Sequence, residues 1–133
     1  TRAAELSKNS GVRVQVLSYG EARVEEGLMP MAVVPAAKDA LKRAELSFEN
    51  VDVIKTHNPF AVNDAYLCKQ TGLGMDKLNN YGSPLIYGHP QGPTGMRVII
   101  ELIEELVIEG GGYGLFSGCA AGDTAMAMVL RVG

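Results

Sequence analysis

The chain has 133 residues, which gives room for one domain and one core but not two. Its 47% hydrophobic and 20% charged residues are ordinary globular usage, which excludes a disordered or fibrous chain. A net charge of −3 argues against nucleic acid as a partner, two cysteines are too few for a disulfide scaffold, and no apolar run reaches the roughly 18 residues of a membrane span, so a reducing, cytoplasmic setting is expected.

The chain opens with Thr1, and Ala3 to Lys8 read as helix interior ending at a capping Gly11. We therefore expect a fragment, a processed product or half of a larger protein. Val12, Val14 and Val16 alternate with Arg13 and Gln15 before Leu17, the period of a half-buried strand. A loop is expected from Glu21 to Pro30, then a helix whose inner face is Val33, Ala37, Ala40, Leu41 and Ala44. The short apolar run Val51 to Ile54 predicts a buried strand, followed by Thr56-His57-Asn58-Pro59. A further helix runs from Phe60 to about Lys69 or Gln70 and closes at Gly72, with Cys68 read as core packing. An irregular segment spans Asn79 to Gly92. The helix from Thr94 to Glu109 is apolar around most of its circumference, which predicts burial between layers, with Glu101, Glu104, Glu105 and Glu109 on a solvated edge. Two strands, Tyr113 to Cys119 and Ala125 to Val132, flank the turn Ala120 to Thr124 as a central hairpin. The order α-β-α-β-α-α-β-β predicts an α/β protein: a mixed sheet with helices on both faces and one buried central helix.

The two histidines each sit beside a tight turn, His57 before Asn58-Pro59 and His89 within Gly88-His89-Pro90. Sheet ends of this kind are where α/β proteins place ligands. Pro90 fixes φ beside a glycine that permits unusual dihedrals, and the following helix N-terminus favours a neutral imidazole able to act as a base. Cys119 meets a small-residue turn, where a thiol can shuttle a proton or meet an acyl group. The same residues also read as solvated loop histidines and an inert core cysteine. No close ligand spacing marks a metal site.

The stretch from Asn80 to Arg97 closely resembles the thiolase signature, an Asn-x-Gly-Gly segment leading into Gly-His-Pro-x-Gly-x-x-Gly-x-Arg. Cys119-Ala120-Ala121-Gly122 resembles the family's last catalytic loop, Cys-x-Gly-Gly, and Gly27-x-Met29 with Val34-Pro35-Ala36 resembles the opening of its C-terminal half. The resemblance spans residues 1–133 and implies a thiolase-like layered fold, C-terminal domain only, with the N-terminal domain and its nucleophilic cysteine absent. It implies that His89 activates that cysteine and helps hold the thioester oxygen, and that Cys119 is an acid/base on the acyl α-carbon. His57, in a His57-Asn58-Pro59-Phe60 motif nearer the His-Asp-x-Phe of the sterol-carrier-type branch, would help build an oxyanion site. The Ala121 backbone N–H would complete a second one, supported by Gly122, Asn58 and Gly88, with Phe60 and Met29 beside the substrate.

The expected reaction is acyl transfer between acyl-CoA and coenzyme A, by condensation or thiolysis through a covalent ping-pong route. Coenzyme A thioesters are the expected substrates, with no covalently bound cofactor, and the expected partners are the N-terminal domain and, in the complete protein, further copies of itself. The fragment alone is expected to be inactive. Ala121, Asn58-Pro59 and Ser83-Pro84 depart from the family pattern, and the altered His57-Asn58-Pro59-Phe60 and Cys119-Ala120-Ala121 motifs suggest a second reading, a non-catalytic thiolase-like binding or partner subunit. A different condensing enzyme on the same fold is a third reading, which Cys119 disfavours because ketosynthase-type enzymes use two histidines.

Overall fold

The last two strands form the centre of the molecule because their sequences pair over their full lengths. In the computed structural model, which describes residues 2–133, β3 (Gly112–Ala120) and β4 (Thr124–Val132) form an antiparallel hairpin. β1 (Val14–Arg23) adds antiparallel to β4, and β2 (Val53–His57) adds parallel to β3, giving one mixed sheet of order β1-β4-β3-β2. Thr1, read above as an atypical start, lies outside the described residues. The opening helix α1 spans only Arg2–Leu6 and is exposed, shorter than the run to Gly11 that its composition suggests.

One face of the sheet carries α2 (Val33–Arg43), with α3 (Ala61–Thr71) packed beside it. The inner face of α2 consists of Val33, Val34, Ala36, Ala37, Ala40 and Leu41, all buried. Small side chains let this helix lie against β1, and at Gly20 the approach is closest: a Cβ there would meet Ala36 O and Ala40 N at 2.4 Å each. Two buried hydroxyls tie the helix down, Ser18 donating to Ala40 O at 2.6 Å and Ser117 to Val33 O at 2.9 Å. The close packing explains why β1 continues through Arg23, where the charged sequence suggested a loop from Glu21. Gly20 and Ala22 are the residues that face α2, opposite Ala127 and Ala125.

The strand differs from the simple alternation of its valines in one further respect. A bulge at Leu17 shifts the register from Val16↔Leu130 to Ser18↔Val129. An extra residue reverses which side chains face which side, so Val14 and Val16 lie on the other face, 46% and 56% exposed.

That other face is covered by α5 (Thr94–Ile108), which lies over β2 and β3 and reaches only the edge of β4. Val98, Leu102 and Leu106 pack on Val53, Phe116, Leu130 and Val132. The helix is buried along this stripe alone. Its outer side carries exposed Met96, Ile100, Val107 and Ile108, because no further layer of the described chain lies over them. A short helix, α4 (Pro84–Tyr87), interrupts the irregular segment before it.

Glu105 is a correction to the solvated-edge reading of the glutamates. It is 1% exposed and pairs at 2.5 Å with Lys55, itself 0% exposed on β2. Its second oxygen accepts from Asn80 Nδ2 at 2.8 Å, and the Lys55 ammonium lies 4.8 Å from the Tyr81 ring centre. A buried charge is held only where partners satisfy it, so this pair fixes the start of the loop that carries His89. Lys55→Met, which strands Glu105, is expected to cost roughly 3–5 kcal/mol. Lys55→Met with Glu105→Leu is expected to recover most of that loss. Urea unfolding of both variants checks the pattern, and equal losses would contradict it.

Candidate functional site

The site forms where two parallel strands end side by side. His57, the last residue of β2, sits opposite Gly118 of β3, and Cys119 follows one residue on. Gly118 is required by that neighbour: a Cβ there would lie 2.7 Å from the His57 Cβ and 3.2 Å from its Nδ1. The imidazole fits across the strand, with Nδ1 3.1 Å from the Cys119 carbonyl oxygen. His89 arrives from the loop before α5, its Nδ1 3.1 Å from His57 Nε2 and 2.9 Å from Thr94 Oγ1. The two rings are 4.5 Å apart between centroids and tilted by 52°. Thr94, the first residue of α5, is buried.

These groups open onto a cavity of about 500 Å³ lined by Met29, His57, Pro59, Phe60, His89, Gln91, Cys119, Ala120 and Ala121. A largely apolar hollow with a few convergent polar groups is the usual form of a small-molecule site. Phe60 is half-exposed at its rim, and Cys119 is buried within its wall. Of the residues singled out from sequence, His57, His89, Cys119, Ala121, Phe60 and Met29 thus meet at one place. Gly88 and Gly122 turn the adjacent loops with φ of 88° and 79° but do not line the cavity.

Asn58 is not in the cavity either. Its side chain is buried behind the site, donating to Asp64, which also accepts from Thr56 Oγ1 at 2.6 Å and Asn79 Nδ2 at 3.3 Å. Asn79 closes the network by accepting from the Thr56 backbone N–H at 2.8 Å and donating to Thr56 Oγ1 at 2.7 Å. The Asn58-Pro59 departure from the usual acidic-small pair therefore builds a buried polar floor that ties β2, α3 and the 79–93 loop together. Three donors converging on one buried carboxylate limit the movement of what rests on them.

Burial disfavours the charged form of two groups in the site, His57 and Cys119. Burial, with the neighbouring His89 adding to it, pulls the His57 imidazole below its ordinary value, while the Cys119 carbonyl acts in the opposite direction. Burial likewise pushes the Cys119 thiol up, opposed by the Asn63 carboxamide and the residue's own backbone N–H. Asn63, 1% exposed in the first turn of α3, was not singled out from sequence, nor were Thr94, Pro59 and Gln91. Thr94 and Gln91 sit in the stretch from Asn80 to Arg97 and Pro59 in the His57-Asn58-Pro59-Phe60 motif, whereas no motif marks Asn63. Cys68 is half-buried on α3 with its Sγ 3.3 Å from Met75 Sδ, away from the cavity lining.

A family model described as thiolase, C-terminal domain, matches residues 11–132. The chain is 35% identical over 119 residues to the cytosolic acetyl-CoA acetyltransferase of Rattus norvegicus, covering 90% of this chain and 30% of that protein. It is 36% identical over 117 residues to the beta-ketothiolase BktB of Cupriavidus necator, covering 88% and 30%. Among solved structures, the acetyl-CoA acetyltransferase of Bacillus anthracis superposes with a TM-score of 0.86 at 29% identity. Human mitochondrial 3-ketoacyl-CoA thiolase in complex with CoA does so with a TM-score of 0.86 at 28% identity, each match covering 90% of this chain and 30% of the other. The chain thus spans about 30% of the length of the relatives it matches.

The raised thiol predicts slow alkylation of Cys119 at pH 7.5. Iodoacetamide labelling of the Cys119 peptide, followed by mass spectrometry across pH, is expected to rise with a midpoint above the ordinary 9.0. A midpoint near 7 would contradict the burial argument.

Proposed function

The chain belongs to the thiolase family, as its C-terminal domain, and from that premise we propose that it is the C-terminal catalytic half of an enzyme that moves acyl groups between acyl-CoA and coenzyme A. The observation that carries this reading is the meeting of His57, His89 and Cys119 around one cavity, from three separate segments of chain. Coenzyme A thioesters are the substrates, and no covalently bound group takes part. The residue roles follow from charge and proton accounting.

In the thiolysis direction, a cysteine thiol of the N-terminal half passes its proton to His89 and adds to the C3 carbonyl of a 3-oxoacyl-CoA. The C2–C3 bond breaks, and the departing acetyl-CoA enolate takes the proton of the Cys119 thiol. Free coenzyme A then gives its thiol proton to the Cys119 thiolate, attacks the acyl-enzyme and releases the nucleophile, which recovers its proton from His89. A thiol held above its ordinary value suits this role, since it is protonated at rest and its thiolate is a strong base. The backbone N–H of Ala121, in the turn continued by Gly122, faces the oxyanion. Gly88 turns the loop that presents His89. Asn58 supports the oxyanion site from beneath, while Phe60 and Met29 contact the acyl group.

The half-covered sheet supports an N-terminal domain as partner. Val14, Val16, Met126, Met96 and Ile100 expose an apolar surface beside and on α5, and exposed patches of this kind mark interfaces. Residues 1–133 are accordingly the C-terminal domain of a longer protein, inactive without its other half, and the complete protein is a cytoplasmic homo-oligomer. Among the relatives, the Rattus norvegicus protein is named cytosolic and the human one mitochondrial. No helix among the described residues is long and apolar enough to cross a membrane.

Steady-state thiolysis of acetoacetyl-CoA by the full-length protein tests the assignment. His89→Ala and Cys119→Ala are each expected to lower kcat by about 10²-fold or more. A folded full-length protein that binds coenzyme A but turns over none of its thioesters would instead support the non-catalytic partner reading.

A further inference from the structure

The contacts around His57 define where its protons are. The Cys119 carbonyl oxygen can only accept, so at 3.1 Å the facing His57 Nδ1 is the protonated nitrogen. The next contact, His57 Nε2 to His89 Nδ1 at 3.1 Å, needs one proton between the two nitrogens. If that proton belonged to His57 the ring would be an imidazolium, half-buried, with none of its recorded hydrogen-bond partners a carboxylate. The proton therefore sits on His89 Nδ1. Thr94 Oγ1, 2.9 Å from the same nitrogen, is a second acceptor that ties it to the start of α5.

We propose that His57 is a positioning residue for His89, accepting its Nδ1–H and so leaving His89 Nε2 as the lone-pair nitrogen that receives the nucleophile's proton. The role differs from the oxyanion donor that the family resemblance implies for His57, because a neutral His57 whose one N–H is given to the Cys119 carbonyl has none left for substrate. The relay runs Cys119 carbonyl, His57, His89, then the nucleophile, with each ring holding the next in one tautomer. Free imidazole slightly prefers the opposite tautomer, and the Thr94 hydroxyl can donate to a bare Nδ1 as readily as accept from a protonated one, so without His57 as acceptor His89 would present an N–H where a base is needed. The relay also gives Gly118 a chemical purpose, since a side chain there would push His57 off the strand. It rests on the proposed function for its consequence but not for its geometry.

The full-length protein labelled with [15N]histidine, with no substrate added, reports the tautomers directly in long-range 1H–15N spectra, assigned by His57→Gln and His89→Gln. His89 is expected to be protonated at Nδ1 and free at Nε2, and His57 likewise. In His57→Phe, His89 is expected to move to the Nε2–H form. Two conservative variants separate acceptor from donor without relying on Phe folding. The side-chain oxygen of His57→Gln reaches the region of Nε2 and accepts from His89, whereas the shorter His57→Asn keeps a carboxamide donor but not that acceptor. Gln is expected to retain the His89 tautomer and exceed Asn in kcat by about tenfold or more, with KM little changed. An Nε2–H tautomer of His89 in the unsubstituted protein, an unchanged tautomer in His57→Phe, or Asn equalling Gln would each overturn the relay. A full-length protein with no turnover would defeat the functional reading alone, while the substrate-free tautomers still decide this one.

Discussion

The parallel pairing of β2 with β3 is the constraint on which the rest depends. It aligns Val53 to His57 with Gly114 to Gly118, so that both strands end together and leave His57 against the Cys119 carbonyl. A shift of one residue would turn His57 to the opposite face of the sheet. It would also remove the match between its imidazole and the side-chain-free Gly118. The antiparallel hairpin β3–β4 anchors this pair from the other side, which places the site on the most central strand available to it.

Two buried polar assemblies then hold the third component, the loop bearing His89. Beneath the site, Asp64 gathers Thr56, Asn58 and Asn79 into one network, joining β2 to α3 and to the loop's first residue. On the α5 side, Lys55 and Glu105 secure the next two residues, Asn80 and Tyr81. At the far end of the loop, Thr94 fixes His89 to the helix start. The loop is thus tied at both ends to buried side chains, Asp64 and Glu105 at its start and Thr94 at its close. Such support is what keeps reacting groups within tenths of an ångström of a working geometry. The apolar core supplies most of the stability, but these polar contacts decide where the imidazole points.

Much of this was legible in the sequence. Alternation and glycine punctuation located the hairpin, α2 and α5, and the motif around His89 with Cys119 downstream marked the residues that meet at the cavity. What stayed hidden depends on partners distant in sequence. The Leu17 bulge reverses the faces of β1, so Val14 and Val16 looked like core and Ser18 and Gly20 did not. Glu105 looked like one of four solvated glutamates because its partner lies fifty residues away, on a strand whose apolar run seemed to end at Ile54. Asn58 looked like a site residue, yet a single aspartate on the next helix draws it beneath the site. Ring-to-ring contact between the two histidines follows only from strand register and loop placement.

The central claim is that this domain supplies the base for a covalent acyl-transfer reaction. Intact-protein mass spectrometry of the full-length protein, mixed with a panel of 3-oxoacyl-CoA thioesters, tests it most directly when run beside His89→Ala. The account predicts a covalent acyl adduct whose mass identifies the preferred acyl group and which His89→Ala fails to form. A folded protein that forms no adduct with any thioester, or one that forms it equally well without the imidazole, would contradict it.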